Sequence, residues 1–394
     1  MALTLTVPAG TFHLSGNPIR VNITGASAPA GSSGYMVLLK VTSVDGLLLG
    51  GPFIDAKTPV SGAAAFDVSG YVDQPLDKLF EWPLAGGVNP YSAQTFDINF
   101  TAGERYIDSN GDLQEPWGEA SATHYVVKGG VSFNELGRMY DDSSSFYAEF
   151  VTATKFLTRQ PSSQIVHPYQ PVKLWLLAPA NGSHDLKIKG YYDNGTSYTY
   201  SSTNTYYKDI LHEINCMPYH ADAVNLALVK AGAKMTHYEV WVDGLTSKFT
   251  FTIDTNYQRF ENCTFLFAAN SLGGVDVIWL SGEVEEGFNT ETILASKPWP
   301  ATGTKKDRTT VVSSRVGTRT WKISPGYKPV AENRALADIL LTRQAWLVTG
   351  TGAYNGGTIY PVTIVNAQSL LANTMNDIHD LPFEFEEGHQ NPYL

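Results

Sequence analysis

The chain has 394 residues, of which 43% are hydrophobic and only 16% are charged, and its formal net charge is −11. This length predicts two or three domains, and the charged fraction lies well below the roughly 25% of an average soluble protein. The acidic balance argues against a nucleic-acid-binding protein, because such proteins present a basic surface to the phosphates. Glycine, serine, threonine and aromatic residues are abundant instead, and this mixture favours a mainly β protein with many turns.

The sequence also bears on the cellular compartment. Two cysteines provide no disulfide framework, and the first residues lack the basic and apolar regions of a signal peptide. No apolar run approaches the roughly 18 residues that a membrane-spanning helix requires. We therefore expect a protein that is made in a reducing cytoplasm and is not inserted into a membrane. An extracellular role would be reached by another route, such as cell lysis.

Residues 1–155 are predicted to form a β-sandwich-like domain. Short segments of β-forming residues alternate there with clusters of Gly, Pro, Asn and Asp, as between the strands of a sandwich. The predicted strands are residues 19–23, 35–41, 64–69, 95–100 and 124–128.

The segment 108–112 predicts a turn in this first domain. Its acidic spacing resembles a calcium-binding loop, but Gly111 stands at the fourth position and Leu113 at the sixth, where a calcium loop requires glycine. We therefore favour a simple turn over a calcium site.

Residues 156–290 are predicted to form a second β-sandwich-like domain, after a linker around Arg159. The segment 265–279 is typical of a β-hairpin, since glycines at its tip supply positive φ and the Asn270 side chain can hydrogen-bond nearby backbone. The segment 193–195 (Asp-Asn-Gly) predicts another hairpin turn. Aromatic and polar residues are interleaved over 198–207, which predicts a half-exposed strand. Further strands are predicted at 168–177, 186–192, 238–242 and 248–253.

Residues 291–394 are predicted to form a small α+β region with one helix near 329–343. Proline and an acidic residue lie in the first turn of this helix, and Leu336, Ile339 and Leu340 share one face. Strands are predicted at 345–348, 360–365 and 382–386. The helix is preceded by an irregular basic segment, which we interpret as a solvated or subunit-contacting loop rather than a phosphate site. Its basic residues are Lys305, Lys306, Arg308, Arg315, Arg319 and Lys322.

The weak candidates for a metal site are His212, Cys216 and His220. Their four-residue spacing would place zinc-type ligands along one face of a helix, with Asp222 as a fourth ligand. Pro218 would break such a helix, so we interpret these side chains as buried or capping residues near a loop. The sequence therefore predicts no metal and no cofactor.

Carboxylates are concentrated at Glu283, Glu285 and Glu286, and paired carboxylates are the catalytic groups of glycosidases. On a strand, Glu283 and Glu285 would lie beside each other rather than across a cleft, which favours a solvated strand end. The chain has no nucleophile elbow, phosphate-binding glycine loop, zinc-protease motif or dinucleotide fingerprint. We therefore predict a non-enzymatic protein with no catalytic residue.

Eight tryptophans and 21 tyrosines provide many aromatic side chains. Exposed aromatics can stack against sugars, and assembly interfaces are enriched in the same residues. We favour core and interface roles, and the sequence leaves sugar binding open.

Several short segments, in this order along the chain, resemble tail proteins of phages and prophages that infect Bacteroidetes, in particular proteins of the baseplate or tail tip. The shared segments are residues 16–19, 65–69, 103–108, 127–130, 265–279, 361–364 and 383–386. The resemblance implies a β-sandwich virion component that is repeated around a symmetric tail. Its partners would be copies of itself, in a ring or trimer, and other tail proteins. The shared segments are turns and strand edges, so the resemblance implies no functional residue.

Two other functions remain open. One is a host-surface adhesin or carbohydrate-binding module, which would show exposed Trp and Tyr in a shallow groove. The other is a glycan-cleaving enzyme on a β-scaffold, which needs two carboxylates roughly 5 to 10 Å apart across a cleft. For the assembly function, edge strands are the natural docking points for neighbouring subunits, and we expect them at 63–68 and within 46–59.

Overall fold

A computed structural model shows a mainly β protein, which confirms the predicted fold class. Of the residues that it describes, 62% lie in strands and 5% in helices. The described residues are 3–7, 12–43, 52–73, 87–91, 95–121, 123–131, 150, 155–168, 170–208, 210–216, 233–254, 264–296, 302, 310–326, 328–349, 358–365, 378–379, 382–388 and 391–393.

The chain forms two compact units, and each is built from segments that are separate in sequence. The first unit comprises Met1–Ser163, Pro171–Thr252 and Asn270–Val275. The second unit comprises Gln164–Gln170, Ile253–Ala269 and Asp276–Leu394. The domain boundaries that we place at residues 155 and 290 from the sequence stay predictions.

The N-terminal part of the first unit is a sandwich of two described sheets. Its elements are β1 (Thr4–Thr6), β2 (Phe12–Leu14), β3 (Arg20–Thr24), β4 (Ser33–Ser43), β5 (Phe53–Lys57), β6 (Ala63–Asp67), the helix α1 (Ser69–Asp73), β8 (Thr95–Ile107), β9 (Leu113–Gln114), β10 (Trp117–Ala120) and β11 (His124–Val127). Strand β7 (Gly87–Tyr91) belongs to another sheet. One sheet of the sandwich has the order β1–β3–β6, and the other has the order β2–β11–β8–β4–β5, with β9 and β10 paired to β8.

The core of this sandwich is built by alternation along its strands. On β3 the side chains alternate between exposed and buried, so that Val21 and Ile23 point inward. They share one apolar cluster with Phe66 of β6 and with Ile98 and Phe100 of β8. Strands β3 and β6 thus each have one face in the core and one in solvent, as an alternating sequence predicts. The two predicted docking segments include β5 and β6, which are edge strands of the described sheets.

The remainder of the first unit contains two further sheets. One has the order β13–β16–β7, and in the other β18, β17, β14 and β15 lie side by side. The turn between β14 and β15 is the predicted one, with Gly195 at φ 76°. The elements are β13 (Val172–Leu177), β14 (Gly182–Tyr192), β15 (Ser197–Tyr206), β16 (Leu211–Cys216), β17 (Met235–Val242) and β18 (Phe249–Ile253). They are preceded by β12 (Ser163–Val166), of which residues 164–166 belong to the second unit.

The second unit contains one large described sheet of order β20–β19–β24–β25–β27–β22–β21, with β28 paired to β22. Leu336 and Ile339 of helix α2 lie in the same apolar cluster as Leu347 and Phe385 of the sheet. The elements are β19 (Thr264–Ala269), β20 (Val275–Leu280), β21 (Val284–Ser296), β22 (Thr310–Ile323), β23 (Lys328–Pro329), α2 (Val330–Ile339), β24 (Ala345–Thr349), β25 (Thr358–Ile364), β26 (Ile378–His379), β27 (Phe383–Glu387) and β28 (Asn391–Tyr393).

The interpretation of the basic segment as an irregular loop is wrong for the part that the structure describes. Arg315, Arg319 and Lys322 lie on β22, which pairs with β21 over its whole length. The β-branched residues of this segment alternate with polar ones, and that pattern suits a strand. Because the segment contains many basic side chains, this strand pattern is difficult to recognise in the sequence. Lys305, Lys306 and Arg308 lie outside the described residues.

Candidate functional site

The structure separates the weak metal-site candidates. His212 and Cys216 are both fully buried on β16, a strand and not a helix. Because a strand rises about 3.3 Å per residue, their Cα atoms lie about 13 Å apart and cannot share one ion. His212 Nε2 accepts a hydrogen bond from the Tyr207 backbone N–H at 2.9 Å. His220 and Asp222 lie outside the described residues, and the described ones contain no group of three metal-binding side chains.

The acidic segment 108–112 forms the predicted turn. Asp108 Oδ1 accepts hydrogen bonds from the backbone N–H groups of Asn110 and Asp112, both at 2.9 Å. Its other oxygen accepts from Gln114 Nε2 at 3.1 Å. The backbone hydrogen bond from Asp112 is the main reason why the pKa of Asp108 lies below its usual range. This carboxylate therefore stabilises the connection between β8 and β9 in its ionised form.

The three neighbouring carboxylates line two clefts in the second unit. Glu283 and Glu285 border a cleft of about 590 Å³, and Glu285 and Glu286 border one of about 370 Å³. Glu332 of α2 also lines the larger cleft. Its Oε2 lies 3.6 Å from Lys328 Nζ. Carboxylates and lysines are thus mixed along the wall, an arrangement that suits mutual charge pairing. The absence of catalysis stays a prediction.

The sheet of β14, β15, β17 and β18 has one predominantly polar side, which we call the outward face. The apolar side chains of these strands, such as Ile188, Val240 and Phe251, are buried on the other side. Because side chains alternate along each strand, their neighbours in sequence all point outward. The residues of the outward face are Asp185, Lys187, Lys189 and Tyr191 of β14, Thr199, Ser201, Thr203 and Thr205 of β15, His237, Glu239 and Trp241 of β17, Thr250 and Thr252 of β18, and the adjacent Asp243 and Lys248.

Aromatic rings occupy both ends of β17 on the outward face. Tyr191 and His237 lie opposite each other on β14 and β17, and their rings stack at 4.3 Å with an interplanar angle of 11°. Trp241 lies further along β17 and donates from Nε1 to Asp243 Oδ1 at 2.6 Å. Lysines lie over two of these rings: Lys189 Nζ is 4.8 Å from the Tyr191 centroid and Lys248 Nζ is 4.6 Å from that of Trp241.

The second notable surface is the arm, which we define as residues 285–296 of β21 with residues 310–319 of β22. Nearly every side chain of β21 is exposed along it, on both faces of the ribbon. Four large apolar side chains are included: Phe288 is 50% exposed, Ile293 56%, Leu294 60% and Val312 52%. Leu294 and Val312 are directly paired across the two strands. The arm therefore presents apolar groups to its surroundings without burying them within the described part of the chain.

Sequence reasoning missed both surfaces. The outward face could have been found from the alternation at 186–192 and 238–242, which places Tyr191 and Trp241 opposite the apolar residues. The arm could not, since its exposure depends on which elements cover β21 and β22. The predicted half-exposed strand is confirmed: β15 is exposed over most of its length, apart from the buried Tyr206.

Comparison with known proteins identifies no family. No protein-family model matches the chain, and no curated protein matches it either. Among the described residues, no helix has the length and apolarity needed to cross a membrane.

Proposed function

We propose that this chain is a non-enzymatic structural component of a phage virion, in the tail or baseplate, which assembles through symmetric contacts between copies of itself. The observation that carries this proposal is the arm. Monomeric proteins rarely expose contiguous apolar patches larger than a few hundred Å², and larger patches mark interaction sites. Two adjacent strands that leave Ile293, Leu294 and Val312 exposed suit a surface that a neighbouring subunit covers.

Burial of the arm would supply part of the free energy of assembly. Full burial of one Leu, Ile, Val or Phe side chain contributes about 1.5 to 3 kcal/mol. Four such side chains on the arm would therefore contribute several kcal/mol per contact, before the cost of association. In a closed ring each subunit makes this contact twice, once with each neighbour, and the symmetry multiplies the gain.

The edge strand of the arm, β21, also favours a specific contact with another subunit over non-specific aggregation. β21 is the last strand of the described sheet, so its outer backbone groups are available to a further strand. Glu285, Glu286 and Glu291 lie along this edge strand, and charged side chains are the usual means by which natural edge strands avoid random pairing. A partner must therefore match both the apolar and the charged positions.

The test combines light scattering with electron microscopy of the purified full-length protein. We expect a discrete ring or trimer, and the same chain detectable by mass spectrometry in purified tail particles. The variant Ile293→Thr/Leu294→Thr/Val312→Thr places β-branched threonines, which favour strands, at all three positions and removes the apolar contact. It should therefore be monomeric with an unchanged circular dichroism spectrum.

The matched control is Leu341→Thr, which alters a highly exposed apolar side chain of the second unit away from the arm. It should assemble as the unmodified chain does. A protein that stays monomeric alone and in the presence of tail particles would refute the proposal. Assembly of the triple variant that equals that of the unmodified chain would refute the role of the arm.

A further inference from the structure

We propose that the outward face binds a neutral oligosaccharide chain. This inference concerns the first unit and does not depend on the assembly function of the arm. It begins from the spacing of the aromatic rings. Trp241 lies four residues from His237 along β17, which corresponds to about 13 Å. This separation exceeds one sugar ring, so a single chain of several sugars would contact Trp241 at one end and the Tyr191–His237 stack at the other.

The lysines show that the ring faces accept positively polarised groups. The face of an aromatic ring is electron-rich, and it attracts a cation or other hydrogens that carry partial positive charge. The C–H groups on one side of a pyranose have this character and present a flat surface of matching size. The Lys248 side chain is 53% exposed where it lies over Trp241. An exposed cation–π contact contributes only about 0.5 to 1 kcal/mol, and the exposed ion pair of Lys248 with Glu239 contributes about 0 to 1 kcal/mol. A sugar can therefore displace this lysine at small cost.

Between the aromatic rings, the outward face presents hydrogen-bonding groups on rigid strands. Glu239 Oε2 accepts from Tyr191 Oη at 3.2 Å and from Lys248 Nζ at 3.1 Å. On β15, the hydroxyls of Ser201 and Thr203 donate to the two oxygens of Asp185 at 3.2 and 2.6 Å. Donors and acceptors are thus held in place beside the rings. Sugar hydroxyls both donate and accept, and a fixed set of such groups is what orients a polar ligand.

The charge of the face favours a neutral ligand. Three lysines and three carboxylates balance each other, and the lysines are Lys187, Lys189 and Lys248, while the carboxylates are Asp185, Glu239 and Asp243. An anionic polysaccharide or a nucleic acid would need an excess of positive charge. A protein interface is also disfavoured, because the aliphatic side chains of these strands, including Leu186, Ile188 and Val240, are buried on the opposite side.

The experiment is native gel electrophoresis of the full-length protein through gels that contain galactomannan, xyloglucan, dextran or laminarin, each compared with a gel that contains no polysaccharide. At least one of these neutral polysaccharides should retard the protein. The variants Trp241→Ala and Tyr191→Ala should each weaken binding by about tenfold or more, since Trp241→Ala removes a stacking surface and Tyr191→Ala removes the ring that supports His237. Lys248→Ala uncovers the Trp241 ring, so it should retain or strengthen binding.

Tyr198→Ala is the matched control. Tyr198 is an exposed tyrosine on β15 of the same sheet, but it is paired with Gly190 and so belongs to the side opposite the outward face. This variant should bind as the unmodified protein does. Circular dichroism and urea unfolding of all four variants establish that they are folded.

Three results would overturn the inference: no retardation by any of the four polysaccharides, retardation that Trp241→Ala and Tyr191→Ala leave unchanged, or loss of binding in Lys248→Ala. A further gel contains anionic alginate. Retardation there and in none of the neutral gels would be a fourth such result, because the face would then recognise charge. None of these outcomes bears on the assembly of subunits through the arm, because that assembly is measured as mass in solution without polysaccharide.

Discussion

His13 Nε2 lies 3.2 Å from His124 Nδ1 in the interior of the first unit. Both side chains are buried, and their rings belong to β2 and β11, which run parallel to each other. When both imidazoles are neutral, one nitrogen donates and the other accepts. A further proton would bring two N–H groups face to face in an apolar surrounding. Burial, with a smaller contribution from His124, therefore lowers the pKa of His13 to about 4.

This pair predicts a loss of stability in mild acid. The pKa of His13 is about 4 in the folded chain and about 6.5 when unfolded, so the folded state binds fewer protons between these values. Its contribution is fully present above pH 6.5 and is lost as the pH falls towards 4, by roughly 3 kcal/mol in total. Urea unfolding at several pH values should show this slope. His13→Gln keeps a hydrogen-bonding group but cannot be protonated, so its slope should be smaller. An unchanged slope in this variant would contradict the assignment.

Lys173 and Glu213 predict a strongly non-additive pair of substitutions. Their charged groups form an ion pair on β13 and β16, and each side chain is 1% exposed. Burial lowers the pKa of Lys173, which shows the cost of keeping the ammonium charged there. Lys173→Met or Glu213→Leu alone leaves one buried charge and should cost about 3 to 5 kcal/mol, whereas the double variant should be nearly neutral. Urea unfolding of all four proteins measures the coupling, and additive costs would refute it.

The hydrogen bonds of Asn270 predict that removing its side-chain amide strongly destabilises the protein. Its Nδ2 donates to the Leu157 carbonyl at 2.8 Å, and its Oδ1 accepts from the backbone N–H groups of Leu272 and Gly274 at 3.0 and 2.9 Å. Asn270→Ala leaves these three buried backbone groups without their partner, so it should destabilise the first unit by about 3 kcal/mol. Asn194→Ala is the control, since Asn194 makes similar contacts to Thr196 in an exposed turn. Equal costs for the two variants would contradict the role of burial.

Cys216 predicts an unreactive thiol in the folded protein. Burial raises its pKa to about 12. The thiolate is the reactive form, and at pH 8 it would amount to about one molecule in ten thousand. Iodoacetamide should therefore leave the peptide that contains Cys216 unmodified in native protein and alkylate it in urea, as read by mass spectrometry. Rapid alkylation without denaturant would show that the β16 interior is open to solvent.

Features that depend on neighbouring residues could be predicted from the sequence. The tip of the hairpin is one example, because Gly273 adopts φ 93° there and the Asn270 side chain bonds its own turn, as its residue types require. Helix α2 is another, since its apolar residues recur with helical spacing. In both cases the residues that form the sequence pattern lie within a few positions of the residues whose conformation it predicts.

Features that depend on distant residues could not be predicted. His13 and His124 are 111 positions apart, and Lys173 and Glu213 meet only because β13 and β16 pair in one register. The spacing of His212 and Cys216 is compatible with a helix or a strand, and only the pairing with β13 and β7 decides between them. The exposure of Ile293 and Leu294 likewise depends on which distant elements cover the faces of β21 and β22.

The division of the chain into interleaved segments constrains how the protein is made. The first unit includes Asn270–Val275. Residue 275 must therefore have been synthesised and left the ribosome before this unit can complete its folding. Ordinary multidomain chains complete their N-terminal domain early in synthesis. Here a chain that stops at residue 252 would contain the sheets of the first unit but lack the segment that bonds the Leu157 carbonyl. The first unit should therefore reach its native state only late in translation.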